Sequence, residues 1–382
     1  MSLLSQLWWT GVRAAGGELA VSRALQVSAP GQATEVLAVG KAAASMCAGA
    51  LNQLPAGTPA LVVTKQGHGN NLREQHPQVE LIEAGHPIPD ERSLLAGQRL
   101  YERIRACDES ARLLMLVSGG ASALAERLPP GRSLVDWQQK TAALVASGQS
   151  IEAINTERSK LSLVKSGRLL KAFPGCHAQV LAISDVQGDS MSVIGSGLGD
   201  TRYLNCSVTT EVVATNAMAR EAIAMAAVDQ GIEVQENSET LYQDVFVAAR
   251  QMASRIYLGP PGLYVWGGEP TIELPANPGR GGRNQSLALA LARELLTLPL
   301  NQSDPVEAPL DVEVLVAGTD GTDGPTSAAG GWLRNLGERD VQQLDAALEL
   351  ADAGTYLVAN DELFVTGPTD TNVMDLALCL KR

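Results

Sequence analysis

The stretch Glu35-Val36-Leu37-Ala38-Val39-Gly40, followed at once by the alanine-rich run Lys41 to Leu54, decides the fold class. A short apolar run closed by glycine reads as a buried strand, and the longer run behind it as a helix. The same alternation continues outward. Strands are predicted at Ala60 to Thr64, Val79 to Ala84, Leu113 to Val117 and Gln179 to Ser184. Helices are predicted at Leu3 to Leu25, Glu91 to Ala106, Asp136 to Ala146 and Asn155 to Phe173. Strand, helix, strand in this order predicts βαβ units around a mostly parallel sheet.

Val208 to Glu236 reads as one more such unit, and the polar stretch Glu236 to Glu239 as a domain boundary, giving domains 1–238 and 239–382. The second domain is predicted to hold a helix at Tyr242 to Tyr257, strands at Leu263 to Trp266, Thr271 to Leu274 and Val312 to Val316, a helix after Arg283, and a helix-like tail. Asn301 to Pro309 reads as a surface loop. The expected architecture is therefore α/β with two domains, a Rossmann-like N-terminal one and a smaller C-terminal one.

Composition narrows the function. The chain has 382 residues, 45% of them hydrophobic and only 4% aromatic, with 37 glycines, so the core is built of Ala, Leu and Val. The net charge of -13 disfavours nucleic acid and anionic membrane surfaces as partners. Lysines are few: seven occur, Lys41, Lys65, Lys140, Lys160, Lys165, Lys171 and Lys381, and none lies between Ala172 and Leu380. Anion recognition in the C-terminal half thus falls to arginine. The five scattered cysteines suggest neither a disulfide framework nor a zinc site, and no signal peptide or membrane-spanning run is read, so a cytoplasmic protein is expected.

Five predicted strands run into glycine, acidic or cationic residues: Gly40-Lys41, Ser118 to Ser122, Ser184-Asp185, Gly267-Gly268-Glu269 and Gly318 to Gly324. In parallel sheets such loops open toward the edge where ligands bind. Lys41 stands where a strand meets a helix, as a phosphate clamp or as a solvated lysine; position alone leaves both open. It is not a Walker lysine, because Glu35 and Ala42 stand where that motif needs glycine and Ser or Thr. Ser118, Gly119, Gly120 and Ser122 offer a nest for a carboxylate or phosphate. His86, in Gly85-His86-Pro87, reads equally as a substrate contact or a turn cap. Asp185, Asp189, Asp320, Asp323 and Glu269 are hard oxygen donors suited to Mg²⁺. Gly279 to Gln285 places Arg280 and Arg283, followed by Asn284, at the opening of a helix, the strongest cationic feature of the second domain. No G-x-G-x-x-G follows the first strand, which argues against a nicotinamide cofactor. Arg158, Lys160, Lys165 and Arg168 read as one solvated basic helix face.

Taken together and in order, these motifs resemble those of the MOFRL-type glycerate 2-kinases, a family also labelled hydroxypyruvate reductase. The resemblance is carried by VGKAA (39–43), GHPIPD (85–90), SGGASAL (118–124), LSLVKSGRL (161–169), SDVQGDSMSVIGSG (184–197), GGEPT (267–271), GGRNQSLALA (281–290), GTDGTDGPT (318–326) and TGPTDTNVMDL (366–376). It implies a cytoplasmic kinase with its active site in the cleft between two α/β domains, phosphorylating D-glycerate at the 2-hydroxyl with ATP and Mg²⁺. Glycerate and ATP would be its partners, and a homodimer is among the assemblies allowed. The family's functionally important lysine falls on Lys41 and its arginine on Arg283. The sequence departs from the pattern at Ala121, Ser166, Leu198-Gly199 and Asp370, where Ser166 and Asp370 replace glycines, at Ser190 and Ser327, which replace acids, and in a shortened Gly331 to Thr366 segment.

The roles expected on this basis are a phosphoryl clamp for Lys41 and Arg283, anion binding for Ser118, Gly119, Gly120, Ser122, His86, Glu269 and Asn284, and Mg²⁺ binding for Asp189, Asp320 and Asp323. Asp189 is also a candidate base. Two rivals are an NAD(P)H-dependent hydroxypyruvate reductase and a degenerate member that binds ligand without turnover.

Overall fold

A computed structural model describes residues 2–27, 33–146, 160–298, 311–334 and 336–382. The chain divides into two compact units. One comprises residues 16–215 together with 370–372, the other residues 1–15, 216–369 and 373–382. The expected two-domain α/β architecture holds, although the chain changes unit at Ala15/Gly16 and Thr215/Asn216 rather than at residue 238.

The first unit is a six-stranded, wholly parallel sheet: β1 (Glu35–Val39), β2 (Ala60–Lys65), β3 (Glu80–Ala84), β4 (Arg112–Val117), β5 (His177–Ile183) and β6 (Ser207–Ala214). Its order is β3-β2-β1-β4-β5-β6. That order reverses direction between β1 and β4, and ligands of doubly wound sheets bind at such a switch, outside the strands' carboxyl ends. β1, β2 and β4 are apolar almost throughout because helices cover both faces, and their Val, Leu and Met side chains are fully buried. Glu91–Ala106 is a helix as expected, started by a capping box in which Asp90 and Ser93 satisfy each other's backbone amides.

The second unit holds a mixed sheet of β7 (Val234–Leu241), β8 (Gly262–Gly268), β9 (Val312–Gly318), β10 (Gly330–Leu333), β11 (Leu363–Phe364) and β12 (Asp375–Lys381), ordered β11-β10-β9-β12-β8-β7. Helices Val245–Leu258 and Arg283–Thr297 pack on it through a core that includes Val245, Met252, Trp266, Leu287 and Leu291.

Five sequence expectations are corrected. Leu3 to Leu25 is two helices, Leu3–Ala14 and Gly17–Val27, broken at Ala15-Gly16 and assigned to different units. Glu236 to Glu239 is no boundary but the middle of β7, whose polar, half-exposed pattern is that of an edge strand. The unit read at Val208 to Glu236 therefore splits, because its first strand is β6 of one sheet and its second is β7 of the other. The tail is not helical: Asp375–Lys381 is a central strand, antiparallel to both β8 and β9, and a short apolar run buried on both faces carries no period that could distinguish the two. Thr271 to Leu274 contributes one isolated bridge, Thr271 to Asp244, rather than a strand.

Between residues 161 and 173 the expected helix is replaced by turns and a single 3₁₀ turn, Leu170–Ala172. The basic face dissolves with it: Lys165 is buried and Arg168 Nη1 donates to Ser162 O at 2.8 Å. Arg158, the first residues of that helix and the Asn301 to Pro309 loop lie outside the described residues. Among the described residues, no helix is long and apolar enough to cross a membrane.

Ser166 and Asp370, where the resemblance led to an expectation of glycine, both adopt left-handed backbone, φ 54° and φ 64°. A side chain there costs about 1 kcal/mol. Ser166→Gly and Asp370→Gly are therefore each expected to raise the melting midpoint slightly, and a lowered midpoint would show that the side chains contribute more than the strain costs.

Candidate active site

In the parallel-sheet unit the loops after β1 and β4 are bonded to one another at the switch point. Lys41 N donates to Gly119 O at 2.9 Å, Ala42 N to Ser118 Oγ at 3.1 Å, and Ser118 N to Val39 O at 3.0 Å. This proximity requires glycine at 40: its φ is +135° and a Cβ would stand 2.1 Å from Ser118 Oγ. Gly120, at φ +81°, lies beside both functional side chains, since a Cβ there would be 3.1 Å from Lys41 Cγ and 3.2 Å from His86 Nε2. Lys41, His86, Ser118, Gly119 and Gly120 are thus one cluster. Ser122 is held at its margin, where its Oγ accepts from Ser196 Oγ at 2.8 Å.

Two further groups belong to this cluster. Asp185 Oδ2 accepts from Asn372 Nδ2 at 3.2 Å, and both stand over Gly119, where a Cβ would be 2.0 Å from each. Sequence reasoning named Asp185 as a carboxylate but missed Asn372, whose only signal was its place in TGPTDTNVMDL. Asp189 sits in its own turn at φ 51°, half-buried, with its amide donating to Val186 O at 3.3 Å.

The mixed-sheet unit gathers a second charged group where β8, β9 and β12 end or begin. Arg283, first residue of its helix, reaches Glu269 Oε1 at 2.7 Å through Nη1 and Asp375 Oδ2 at 3.4 Å through Nη2. Burial works against its charge, but the carboxylates of Asp375, Glu269 and Asp323 outweigh burial and hold its pKa above the usual value. Asp375 is the residue that sequence reasoning missed here. It opens β12 opposite Gly268 and Gly318, and Asn284 Nδ2 lies close to the same spot, as a Cβ on Gly318 would meet both side chains.

Asp323, expected as a metal ligand, serves the helix start through both of its oxygens. Its Oδ1 accepts from Asn284 N at 3.1 Å and its Oδ2 from Gln285 N at 2.8 Å, so both oxygens cap the helix that carries Arg283. Gly282 leaves it room, because a Cβ there would be 2.2 Å from the carboxylate carbon. Asp320 is buried in an Asx turn, its Oδ1 accepting from Thr322 N at 2.9 Å, and its charge helps to raise the pKa of Asp375. Among the described residues no three His, Cys, Asp or Glu side chains converge on a metal position. Mg²⁺ needs only one or two protein carboxylates, and Asp320 has the donor chemistry for it.

Burial pushes Asp323 up to about 7, against two backbone amides that pull it down. Burial likewise raises Asp375 to about 6, with Arg283 opposing. A carboxyl whose folded pKa lies above its unfolded value binds more protons folded than unfolded, so its contribution to stability declines as pH rises between the two values. For Asp375 that window runs from about 4 to 6. The stability of wild-type protein relative to Asp375→Asn is therefore expected to decline from pH 4 to 6, by on the order of 1–3 kcal/mol. Denaturant titrations of both proteins that stay parallel across this range would refute it.

Comparison with known proteins places this arrangement. Residues 3–228 match the model of a domain of unknown function, DUF4147, and residues 262–375 that of the MOFRL family. The chain belongs to the MOFRL-type glycerate kinase family. It is 33% identical to a protein of Thermotoga maritima named D-glycerate 2-kinase, over 90% of either chain. It is 31% identical to a protein of Pyrococcus horikoshii named glycerate 2-kinase, over 90% of this chain and 86% of that one. A crystal structure of glycerate kinase from Thermotoga maritima superposes with a TM-score of 0.81 at 31% identity, covering 99% of this chain and 98% of that one.

Proposed function

We propose that the protein is a glycerate 2-kinase that transfers the γ-phosphoryl group of ATP to the 2-hydroxyl of D-glycerate. The observation that carries this reading is the cluster at the β1/β4 switch point: a lysine beside a glycine-built loop that could not come so close to Lys41 if it carried side chains. Relatives named glycerate kinases over nine-tenths of the chain supply the substrate.

Phosphoryl transfer asks for positioning and charge neutralisation rather than covalent chemistry. Lys41 in the parallel-sheet unit and Arg283 in the mixed-sheet unit are each a cation able to neutralise phosphoryl oxygens as negative charge gathers on them. The Ser118 to Ser122 loop, with its small residues and hydroxyls, binds the glycerate carboxylate or a phosphate, and His86 borders it. Glu269 and Asp375 pair with the two terminal nitrogens of the Arg283 guanidinium, and Asn284 lies beside Asp375. Asp189 and Asp320, each within its own unit, have the donor chemistry for Mg²⁺, which would neutralise nucleotide phosphates. Asp189 is also the candidate to accept the hydroxyl proton.

An assay with ATP, Mg²⁺ and D-glycerate, coupled through enolase so that only 2-phosphoglycerate reports, tests the reading directly, with ADP followed in parallel. Enolase-linked signal is expected. ADP without it would overturn the 2-position, and oxidation of NADH with hydroxypyruvate in place of kinase activity would overturn the kinase reading altogether.

A further inference from the structure

We propose that Asn216 and Arg220, which none of the site motifs contains, are positioning residues for the Arg283 guanidinium. The inference rests on the catalytic reading of Arg283 given above. Its starting point is the turn that delivers Asp375 to Arg283. Met374, just before β12, has left-handed backbone at φ 66°, unfavourable for a side chain without glycine's freedom. Such a turn persists only when its surroundings hold it.

They do so from two sides. Thr319 Oγ1 accepts from Val373 N at 2.8 Å and donates to Met374 O at 2.7 Å, while Thr319 N donates to the same carbonyl at 3.0 Å. From the other side the fully buried Asn216 donates through Nδ2 to Val373 O at 2.8 Å and to Asp375 O at 3.1 Å. One amide group therefore bridges the two carbonyls that flank Met374.

Asn216 is itself oriented. Its Oδ1 accepts from Arg220 Nε at 2.8 Å, which fixes which end of the amide faces the turn. Arg220 is buried and anchored on β7, donating to Asn237 Oδ1 at 2.5 Å and pairing with Glu239 Oε2 at 3.2 Å. The Tyr242 hydroxyl donates to the other oxygen of Glu239. Gly267 completes the arrangement, since a Cβ there would stand 1.7 Å from Asn216 Oδ1. Gly267 lies two residues before Glu269, the second carboxylate on Arg283. The network thus presses on both strand ends that hold the guanidinium, β8 through Gly267 and β12 through the Met374 turn, without touching Arg283.

The decisive substitution is Asn216→Asp, which keeps the size of the side chain and an acceptor for Arg220 but loses both hydrogen bonds to the turn. In the full-length enzyme, kcat is expected to decline about 10-fold or more while KM for ATP and for D-glycerate stays within about 3-fold, because the damage falls on transition-state charge rather than on binding. In an Arg283→Lys background the same change is expected to cost less than about 3-fold, since the group it positions is already gone. A merely structural role would lower kcat by the same factor in both backgrounds. Should Asn216→Asp melt below the assay temperature, Arg220→Lys loosens Asn216 from behind and is read identically. Unchanged kcat in the folded variant, or equal factors in the two backgrounds, overturns the inference alone. Arg283→Lys with wild-type kcat overturns the catalytic reading of Arg283, and this inference with it.

Discussion

Lys41→Ala is expected to lower kcat for glycerate phosphorylation by roughly 10³-fold or more, the scale on which clamps of transferring phosphoryl groups act. The expectation follows from where the lysine stands. Its backbone is bonded to the β4 loop and its side chain passes Gly120. A melting curve on the same variant separates a loss of turnover in the folded protein from unfolding. Arg283→Ala is expected to lose a similar factor in kcat but to pay in stability as well, because Asp375 would keep a buried carboxylate without its guanidinium. Arg283→Lys separates the two effects, retaining charge and losing the two-pronged geometry. Steady-state kinetics with melting curves on the three variants checks all of this, and turnover within a few-fold of wild type in a folded Lys41→Ala would remove Lys41 from the mechanism.

Lys165→Met is expected to destabilise the parallel-sheet unit by about 3–5 kcal/mol, the usual cost of stranding one half of a buried ion pair. Lys165 Nζ lies 2.8 Å from Glu126 Oε2, and the side chains are 1% and 0% exposed. The other oxygen of Glu126 accepts from Arg127 N at 2.9 Å, and the Lys165 ammonium lies 5.3 Å from the centre of the Trp137 ring. Lys165→Met combined with Glu126→Leu removes both charges and is expected to recover most of the loss. Denaturant unfolding of the single and double variants decides the matter: a single variant as stable as wild type would mean that water reaches Glu126, and a double variant no better than the single would place the loss in packing rather than charge.

Sequence and structure agree most closely where the signal is local. The apolar runs at β1, β2, β4 and β5 and the capped helix Glu91–Ala106 declare themselves through short-range chemistry, alternation and a capping box, and they appear within a few residues of their predicted bounds. Glycines 40, 119 and 120 were legible as a ligand loop for the same reason, since their steric role is written in the residues that follow each strand. Lys41 and Arg283 stood out because lysines are few in the chain and absent over much of its second half.

What failed to show itself depends on partners distant in sequence. Lys165 reads as one of four basic residues on a helix face until Glu126, 39 residues away, is folded against it. Asp323 reads from the sequence as a metal donor, and only the fold brings the amides of Asn284 and Gln285 to its two oxygens. The C-terminal run Asp375–Lys381 reads as a helix because an apolar segment has no period when both faces are covered, and only pairing with β8 and β9 decides otherwise. Asn216 carries no sequence signal at all, its role being set by two carbonyls more than 150 residues downstream. The sequence by itself determined the α/β class, the parallel sheet and the chemical types gathered at its ends, because these follow from neighbours within one strand or one turn. Tertiary structure alone decided which charges are buried in pairs and which gather at the strand ends, because burial and pairing are properties of residues brought together across the chain.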